Sequence, residues 1–531
     1  MSPTMRTYKR YLLLLLSSIA LTVYIFSSKK SSKQQSITFQ EINKENSDMS
    51  TSAAAKQIIV VGSGLAGLTS AYTALSNGVK VTILEMESKF GGNSIKASSG
   101  INGAPTRFQP EPDDLFYQDT VKSAGTIYAN SNIKPQREAL MKTLVDNSKD
   151  AVYFLSDTIG VDLSLVAQLG GHSKPRTHRG AGKTPPGFAI ISALLKKIEN
   201  DFSQLATLKK ECRVTKLLTE SGVVVGVEYQ DLANADAKPT QLFGPVVMAA
   251  GGYAGDTTGL VEKYRPDLAG FPSTNSPRQQ SLSLLTAIGA QLIDMESIQV
   301  HPTGFVDLAA PGSKVKFLAA EALRGHGGIL VDPKGNRFVN EVLRRDEVTD
   351  AVFEKCPSTS VVGNDGEIKQ WESWLVMDEG SVEGIKSNVG FYMFKKLMYK
   401  SKLSDLASTL PNIRSSLIKY SQSVKDKKDT EFGRHYYGSW SLNPDEISDD
   451  TEVYYGKVTP VLHFTMGGAK FNEHAEFVDE QDKPIDGIWG CGEVTAGVHS
   501  SNRLGGSSLL ECVVFGRIAG ERASKALSGK L

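Results

Sequence analysis

The apolar residues of the chain fall into two patterns, short continuous runs that end at glycine and longer runs with helical spacing. Ile58 to Val61 is a continuous, largely β-branched run, as expected for a parallel strand buried on both faces. The next segment repeats apolar residues at helical spacing, at Leu65, Leu68, Ala71, Tyr72 and Leu75. A second apolar run, Val79 to Leu84, follows. The order of strand, helix and strand predicts a βαβ unit.

Glycines stand at the points of this unit where a ligand or a neighbouring element comes close. Gly62 ends the first run in a tight turn, and Gly64 leaves room for a pyrophosphate beside the backbone N–H groups that open the helix. Gly67 lets the helix pack closely on the strand, and Gly78 stands where a left-handed residue would end it. Glu85, after the second run, is placed to accept both hydroxyls of an adenosine ribose. Together these residues predict a dinucleotide-binding site.

Two later segments, residues 245–252 and 486–493, repeat the pattern of an apolar run followed by glycines. Three such strand ends around one sheet are what a large dinucleotide would use. Residues 89–104 are crowded with small residues, which predicts close approach to a ligand, with an ordinary flexible loop as the alternative. Periodicity predicts further helices over residues 137–159, 186–199 and 507–526.

Residues 300–455 differ from their flanks, with longer polar connections and no comparable strand that ends in paired glycines. We interpret them as an inserted capping domain over the cofactor, in which residues 357–370 form a surface loop. The predicted fold is therefore α/β. It combines a Rossmann-type domain, built from residues 51–299 and 456–531, with an inserted α+β capping domain at residues 300–455.

The first 50 residues are interpreted as a targeting segment followed by a linker. Basic residues precede the apolar run Tyr11 to Phe26, and lysines follow it. The run is short for a helix that needs about 20 residues to cross a bilayer. A signal peptide or signal anchor fits best, which predicts a membrane-associated protein of the endoplasmic reticulum or secretory pathway. A mitochondrial presequence is the competing interpretation, since no acidic residue precedes Glu41.

Composition excludes several classes of function. The chain has 531 residues, 40% hydrophobic and 22% charged, which predicts a globular protein with more than one domain. Its net charge of +1, without a basic domain, argues against a nucleic-acid partner. The four cysteines are far apart and have no metal-binding spacing, so iron–sulfur clusters, c-type haem, structural zinc and other metal sites are not expected.

A few polar residues stand in contexts that suggest chemistry. His301 and His463 each lie beside a proline or glycine break in an apolar segment, although each alone is more often structural. Glu321 and Arg324, at i and i+3, are most simply a surface ion pair. Arg503 is more informative, because it lies beside a glycine-rich turn just ahead of the predicted C-terminal helix. Its planar fork can bind a carboxylate through two hydrogen bonds.

Taken together, the motifs resemble those of the flavin-dependent fumarate reductase family, which is related to the succinate dehydrogenase flavoproteins. The chain is most similar to the soluble fungal members that lack haem and iron–sulfur domains, over nearly all of residues 57–531. The motifs that carry the resemblance are Gly-Gly-Asn93-Ser-Ile-Lys-Ala-Ser-Ser-Gly, Gln-Leu-Gly-Gly-His172-Ser, Gln-Val-His301-Pro-Thr-Gly, Ala-Glu321-Ala-Leu-Arg324-Gly, Arg345-Asp346, His463-Phe-Thr-Met-Gly-Gly, Gly492-Glu493-Val and Asn502-Arg503-Leu-Gly-Gly.

The resemblance implies that the Rossmann-type domain binds FAD. It implies non-covalent binding, because the related flavoproteins that attach FAD do so through a histidine near Asn93, and residues 93–102 contain none. The implied cofactor contacts are Gly62, Gly64, Leu65, Ala66, Gly67, Glu85, Gly92, Asn93, Ser99, Gly100, Asn102, Gly103, Ala250, Gly251, Gly252, Glu493, Ser508 and Leu509.

The resemblance further implies that fumarate is reduced to succinate by hydride transfer from flavin N5 and protonation by an arginine, a reaction that maintains redox balance. Arg345 would be the proton donor, fed by Glu321 and Arg324. NADH or a reduced flavin would supply the electrons. The implied substrate contacts are His301, His463, Arg503, Gly505 and Gly506.

Two features depart from what this resemblance leads one to expect. An arginine with a pKa above about 12 is a poor acid, so the residue types alone would make Arg345 an electrostatic clamp. Members of the family commonly carry a Gly-Asp-Gly near the flavin nucleotide, whereas residues 275–283 here contain neither glycine nor acid. Reduction of another activated alkene acid is an alternative activity, and a membrane-tethered flavoprotein with impaired catalysis is an alternative of a different class.

Overall fold

A computed structural model describes residues 57–182, 184–234, 236–277, 281–363 and 366–529. The targeting prediction for residues 1–50 lies outside these ranges. Within them, no helix is both long and apolar enough to cross a membrane.

A six-stranded sheet lies at the base of the fold. In spatial order its strands are Glu476–Val478, Pro484–Gly490, Val246–Met248, Gln57–Val61, Lys80–Leu84 and Ala206–Lys209. All neighbours run parallel except the edge strand Glu476–Val478. Ile58, Ile59 and Val60 have no exposed surface, as a strand covered on both faces requires. The three predicted strand ends therefore meet at one edge, because parallel strands share their carboxyl end.

Helices Leu65–Ser76, Pro186–Asp201 and Ser507–Leu527 confirm three predicted helices. A Cβ added at Gly67 would lie 2.0 Å from the carbonyl oxygen of Gly62, so the first helix can sit this close only with glycine there. The helical prediction over residues 137–159 is confirmed for most of its length, but the segment is not one continuous helix. Helix Lys134–Asp146 ends before Asn147, whose side-chain amide donates to the Thr143 carbonyl and so competes with the backbone for that acceptor. The remaining residues form helix Ser148–Tyr153 and the π-helical turn Phe154–Thr158.

A second sheet carries the residues predicted to bind substrate. Strand Ile298–Phe305 pairs antiparallel with the long strand Glu452–Thr465, with His301 opposite Val461 and Gln299 opposite Phe464. Strands Ser373–Met377, Ile329–Val331 and Tyr399–Lys402 extend this sheet. His301 and His463 are thus brought side by side although they are far apart in sequence. The domain boundaries at residues 299/300 and 455/456 stay a prediction.

The surface loop predicted over residues 357–370 is wrong. Ser358–Gly363 and Gly366–Trp371 are two antiparallel strands paired in register from Ser358–Trp371 to Gly363–Gly366. The second strand alternates in burial, with Ile368 and Gln370 buried and Lys369 exposed, as expected for a half-buried strand.

The remaining strands and helices are shorter connections and peripheral layers. The strands are Ile101–Asn102, Leu165–Ala167, Thr177–Arg179, Cys212–Glu220, Val223–Asp231, Thr240–Phe243, Leu292–Ile293, Gly468–Lys470 and Thr495–Ala496. The helices are Phe116–Ala129, Leu260–Tyr264, Leu282–Thr286, Glu321–Gly325, Arg345–Lys355, Glu379–Glu383, Lys386–Phe394, Leu403–Ala407 and Ile413–Lys425, with 3₁₀ turns at Ser94–Lys96, Pro266–Leu268 and Pro444–Glu446.

Candidate functional site

A cavity of about 1270 Å³ lies at the carboxyl edge of the six-stranded sheet and extends to the second sheet. His463 and Phe464, from the long strand of the second sheet, form part of its wall. Most of the predicted cofactor residues line it, namely Gly62, Gly64, Leu65, Ala66, Glu85, Gly92, Asn93, Ala250, Gly251, Glu493, Ser508 and Leu509. Their convergence on one elongated space is what a dinucleotide site requires.

The glycine turn at this cavity suits a pyrophosphate. A Cβ added at Gly62, whose φ is +101°, would lie 2.4 Å from the Ala249 carbonyl oxygen, so only glycine fits there. A Cβ added at Gly64 would meet only Ser94 Oγ, 3.6 Å away, which leaves the start of helix Leu65–Ser76 open to the cavity. The positive end of the helix dipole favours an anion at this point, where the Leu65 N–H at present donates to Ser94 Oγ at 3.1 Å.

The carboxylate of Glu85 is oriented by its neighbours at the end of the second strand. It is buried and accepts hydrogen bonds from the backbone N–H groups of Ser63, at 3.0 Å, and Glu87, at 2.8 Å. Oε2 also accepts from the Ser63 hydroxyl, so Oε1, the acceptor of the Glu87 N–H, is the oxygen with a position left for a ribose hydroxyl. The residues present therefore fit a dinucleotide with a ribose at Glu85 and a pyrophosphate at Gly64.

A smaller group of predicted cofactor residues, Gly67, Ser99, Gly100, Asn102, Gly103 and Gly252, lies outside the cavity wall. A Cβ at Gly100 would lie 2.3 Å from the His178 carbonyl oxygen, and one at Gly103 would lie 2.4 Å from Val152. Asn102 donates from its side-chain amide to the Gly505 carbonyl at 2.8 Å and to Ser507 Oγ at 3.0 Å. The structure thus gives the glycines a packing role and Asn102 a hydrogen-bonding role, and the contact of all six residues with a cofactor stays a prediction.

The segment that lacks Gly-Asp-Gly does lie at the cavity. Its residues Asn275, Ser276, Ser281 and Ser283 contribute to the wall, as does Leu284 directly after it. The Asn275 side-chain amide donates to the His463 carbonyl oxygen at 3.3 Å, which ties this segment to the second sheet. The altered sequence therefore borders the space that the cofactor would fill.

Beside the cavity, a cluster of buried polar side chains surrounds Gln299. Its side-chain oxygen accepts hydrogen bonds from Arg345 Nη1, at 2.7 Å, and from Arg503 Nη2, at 2.9 Å. Its nitrogen donates to Asn502 Oδ1 at 2.6 Å and to the Arg503 carbonyl at 3.1 Å. Both guanidinium groups are consequently held at a fixed separation by one amide.

Arg345 also forms an ion pair with Glu321. Glu321 Oε2 accepts from Arg345 Nε at 2.7 Å and lies 2.6 Å from Nη2, while Oε1 accepts from the Gly170 N–H at 2.8 Å. Burial alone would raise the pKa of Glu321, but the charges of Arg345 and Arg324 outweigh burial and hold it below its ordinary value. A Cβ on Gly505 would lie 3.1 Å from Glu321 Oε2 and 3.2 Å from Arg345 Nη2, so a small residue leaves room for this pair.

The surface ion pair predicted for Glu321 and Arg324 is wrong. Both side chains are buried, and no salt bridge joins them. The helix that carries them is only five residues long, and Arg324 reaches the Glu341 carbonyl oxygen at 2.5 Å instead. Its Nε and Nη2 have no hydrogen-bond partner. Burial lowers the pKa of Arg324 to about 10, and the charge of Arg345 contributes to the decrease.

The two histidines face each other, with ring centroids 5.4 Å apart. His301 is fully buried and its Nε2 has no partner, while Nδ1 lies 3.0 Å from the Thr303 carbonyl oxygen. His463 Nε2 lies 3.3 Å from Arg503 Nη2. Burial, and next the charge of Arg345, hold the pKa of both imidazoles well below the ordinary value. Both rings are therefore neutral near pH 7.

Arg503 completes the cluster from the turn before the C-terminal helix. Its guanidinium stacks 4.2 Å from the centre of the Phe464 ring, and its Nε has no hydrogen-bond partner. Burial, and then the charge of Arg345, lower the pKa of Arg503 to about 9. Gly506, with φ +84°, begins the helix directly after this turn.

The cluster carries an excess of positive charge. Arg324, Arg345 and Arg503 are buried, and within the described ranges Glu321 is the one carboxylate that pairs with any of them. The unpartnered N–H groups of Arg324 and Arg503, together with His301 Nε2, are costly to leave unsatisfied. A small anion with two carboxylates would satisfy both the charge and the hydrogen bonds.

Sequence reasoning missed Gln299 and Phe464 as site residues. Gln299 alternates with His301 on one strand, so both side chains point to the same face. The i, i+2 spacing of Gln299 and His301 was therefore a signal from which Gln299 could have been predicted as a site residue. Phe464 follows His463 directly and gave no polar signal of its own.

Comparison with known proteins gives a family match. The family described as "FAD binding domain" matches residues 57–509. The chain is 42% identical to "Fumarate reductase 1" of Saccharomyces cerevisiae, over 87% of this chain and 97% of that protein. It is 39% identical to "Fumarate reductase" of Schizosaccharomyces pombe, over 89% of this chain and 90% of that protein.

A solved structure shares the architecture. The open conformation of a flavocytochrome c3 fumarate reductase superimposes with a TM-score of 0.67 at 28% identity, over 92% of this chain and 81% of that one. This agreement confirms the α/β fold that was predicted from the sequence.

Proposed function

This chain belongs to the family of flavoproteins with an FAD binding domain, and we propose that it reduces fumarate to succinate. The observation that carries the proposal is the cluster of Arg324, Arg345 and Arg503 around a single paired carboxylate, directly beside the dinucleotide cavity. The two named relatives above support the same activity. His463 belongs to both the cavity wall and the cluster, so cofactor and substrate would lie in contact.

FAD is the cofactor, and the residues of the cavity fit it. Gly64 and the helix that follows would hold the pyrophosphate, and Glu85 would hold the adenosine ribose. Bound FAD, once it has been reduced by the electron donor, would supply the hydride that reduction of an alkene requires.

The residues of the cluster would bind the substrate through its two carboxylates. Arg503 offers a fork and an unpartnered Nε, and His301 offers an unpartnered Nε2. Because the imidazoles are neutral, they would add hydrogen bonds to the substrate without adding charge. The arginines would supply the electrostatic attraction to its carboxylates. A substrate that is held by both of its carboxylates has its double bond fixed at one position. The fixed cations would also stabilise the negative charge that develops next to a carboxylate during reduction.

Arg345 would deliver the proton to the substrate carbon. Its Nη1 and Nε are already held by Gln299 and Glu321, so the guanidinium has one orientation. Glu321 Oε2, 2.6 Å from Arg345 Nη2, is placed to return a proton to that nitrogen afterwards. Arg324 would supply Glu321 in turn, although no direct hydrogen bond joins the two in this state.

The test is anaerobic reoxidation of chemically reduced, flavin-loaded protein by fumarate, followed through the return of flavin absorbance. Fast reoxidation by fumarate and slow reoxidation by a monocarboxylate such as acrylate would support the assignment. Preferential reoxidation by the monocarboxylate would replace fumarate with another activated alkene acid. No reoxidation by either would favour a flavoprotein with impaired catalysis.

We propose NADH or a free reduced flavin as the electron donor. Turnover with each donor under anaerobic conditions distinguishes them, because the two deliver electrons from chemically different rings. Activity with one and none with the other assigns the donor, and activity with neither rejects both.

For residues 1–50 we propose a signal anchor that holds the protein at a secretory-pathway membrane. The apolar run between basic residues supports this proposal. Fractionation of cells that produce the full-length chain or residues 51–531 tests it. Mitochondrial enrichment of the full-length chain would favour the presequence instead, and identical soluble distribution of both forms would reject targeting by this segment.

A further inference from the structure

A second cavity, of about 220 Å³, adjoins the short helix that carries Glu321 and Arg324. Its wall is formed by residues 165–169 together with Arg179, Ala322, Gly325, His326 and Tyr436. Ala322 and Gly325 come from the same helix as Glu321 and Arg324, but none of the side chains that form the dicarboxylate cluster is part of this wall. The cavity is therefore a separate space with its own chemistry.

Arg179 is the charged residue of this cavity. Its side chain is buried, with 8% of its surface exposed. Nη2 donates to His326 Nε2 at 2.7 Å, and Nη1 has no hydrogen-bond partner. Within the described ranges no carboxylate forms an ion pair with Arg179.

The hydrogen bond to His326 determines the charge of the pair. A guanidinium can only donate, so His326 Nε2 must accept and the imidazole must be neutral. Consistently, burial and then the charge of Arg179 lower the pKa of His326 to about 4. The pair thus carries one positive charge without a counter-ion, which is a costly arrangement for a buried group.

The remaining wall is mostly apolar, with Leu165, Val166, Ala167, Leu169 and Ala322 among its residues. We propose that this cavity binds a small monocarboxylate, whose carboxylate pairs with Arg179 and whose short alkyl group lies against the apolar wall. The single uncompensated charge fits a monoanion. The small volume fits a molecule of a few carbon atoms, and the apolar lining favours an organic acid over inorganic phosphate.

Binding of ¹³C-labelled propanoate to flavin-loaded protein, followed by NMR titration with succinate in saturating excess, tests the site. Arg179→Gln is compared with Arg414→Gln, which removes the same charge from an exposed helix where Arg414 pairs with Asp449. We expect Arg414→Gln to bind like the parent and Arg179→Gln to bind at least tenfold more weakly. Equal affinities in the two variants would overturn the proposal. The readout needs no turnover, so it is independent of the activity proposed above.

Gly325→Ala gives a second variant that tests the cavity without changing its charge. A Cβ at Gly325 would meet only the Gln168 carbonyl oxygen, 3.5 Å away, so the methyl group fits the helix while it takes space at the cavity wall. We expect weaker propanoate binding with an unchanged melting temperature, and unchanged affinity would count against the site. Inorganic phosphate is the competing probe, and displacement of propanoate at equal concentration would overturn the carboxylate assignment.

The stability of Arg179→Gln without added anion separates a binding role from a structural one. If Arg179 is an uncompensated charge, its removal should leave the melting temperature no lower than that of Arg414→Gln. A large decrease specific to Arg179→Gln would show that the arginine serves the fold, and would overturn the interpretation as a site.

Discussion

Arg345 and Arg503 donate to the same atom, the side-chain oxygen of Gln299, at 2.7 and 2.9 Å. One of these arginines is the proposed proton donor and the other the proposed carboxylate clamp. Since like charges repel, two guanidinium groups stay this close only because a shared acceptor and a nearby carboxylate hold them. The distance from the proton donor to the bound substrate thus depends on a neutral amide.

Gln299→Leu should weaken substrate binding. It removes the shared acceptor and leaves buried donors unpaired, at a cost of roughly 1–3 kcal/mol, which corresponds to a rise in KM for fumarate of about 5- to 150-fold. Gln370→Leu is the matched control, because Gln370, in strand Gly366–Trp371, is equally buried but donates to the Pro311 carbonyl oxygen. Steady-state kinetics of both variants give the comparison. Equal KM values would mean that the arginines keep their places without Gln299.

Arg345→Ala should lower kcat by roughly 10²- to 10⁴-fold, the usual contribution of a positioned acid, while fumarate still binds through Arg503 and the histidines. A clamp would instead show its loss mainly in KM. Arg345→Lys keeps the charge but not the fork, so it should rescue a clamp better than a donor. Lys355→Ala is the control, since Lys355 lies at the far end of the same helix and forms an exposed ion pair with Glu354. Unchanged turnover together with an unchanged solvent isotope effect in Arg345→Ala would assign protonation to another group.

Restoring Gly-Asp-Gly within residues 275–283 should tighten flavin binding. The segment lines the cavity, and one charge-assisted hydrogen bond contributes roughly 1.5–3 kcal/mol, or about one to two decades in Kd. A Gly-Asn-Gly version provides the matched control without the charge. Fluorescence titration of apoprotein with FAD measures all three chains. The same Kd in each would show that an acid here does not reach the cofactor.

The flavin should be released by acid precipitation into the supernatant. Residues 93–102 contain no histidine, and His463 is the one histidine on the cavity wall in the described part of the chain. His463 is turned toward Arg503, so it is engaged by the cluster. Absorbance of the supernatant and the pellet decides the matter. Yellow colour that stays with the denatured pellet would show a covalent bond.

Stability should fall as the pH drops from about 6.5 toward 4. Burial is the first cause that lowers the pKa of His172 and of His178 to about 4. A folded-state pKa below the unfolded value near 6.5 means that the unfolded chain binds more protons in this pH window. Each such histidine therefore lowers the free energy of unfolding by about 1.4 kcal/mol for every pH unit of decrease. Above the unfolded pKa these histidines are neutral in both the folded and the unfolded chain, so they no longer lower the free energy of unfolding.

His178→Gln isolates one of these contributions. In urea unfolding at several pH values, with FAD in fixed excess, this variant should show a shallower dependence on pH, by up to about 1.4 kcal/mol per unit between pH 4 and 6.5. His474→Gln is the control, because His474 is exposed. Parallel pH profiles for the two variants would contradict the assignment to His178.

Local pattern was enough to predict the cofactor half of the molecule. The run Ile58–Val61, the glycines after it and Glu85 lie within one short stretch, and a βαβ unit is held together by contacts close in sequence. The glycine positions carry backbone requirements that no other residue meets, so each can be interpreted without knowledge of the rest. The predicted helices at residues 186–199 and 507–526 succeeded for the same reason.

Predictions from sequence patterns were wrong where the structure or the contacts of a segment depend on a partner that is distant in sequence. The hairpin at residues 358–371 is polar enough to resemble a loop, and its pairing partner is what makes it a strand. Glu321 and Arg324 have the spacing of a surface pair, but the chain that folds over them buries both and offers Arg345 and the Glu341 carbonyl instead.

The sequence by itself therefore determined the fold class, the family and most of the cofactor cavity. Only the tertiary structure decided that Gln299 joins Arg345 to Arg503, and that Arg179 stands beside its own cavity with no carboxylate partner among the residues that the structure describes. The reason is physical: charge compensation depends on which groups meet in space, and residues hundreds of positions apart meet only after the sheets have packed.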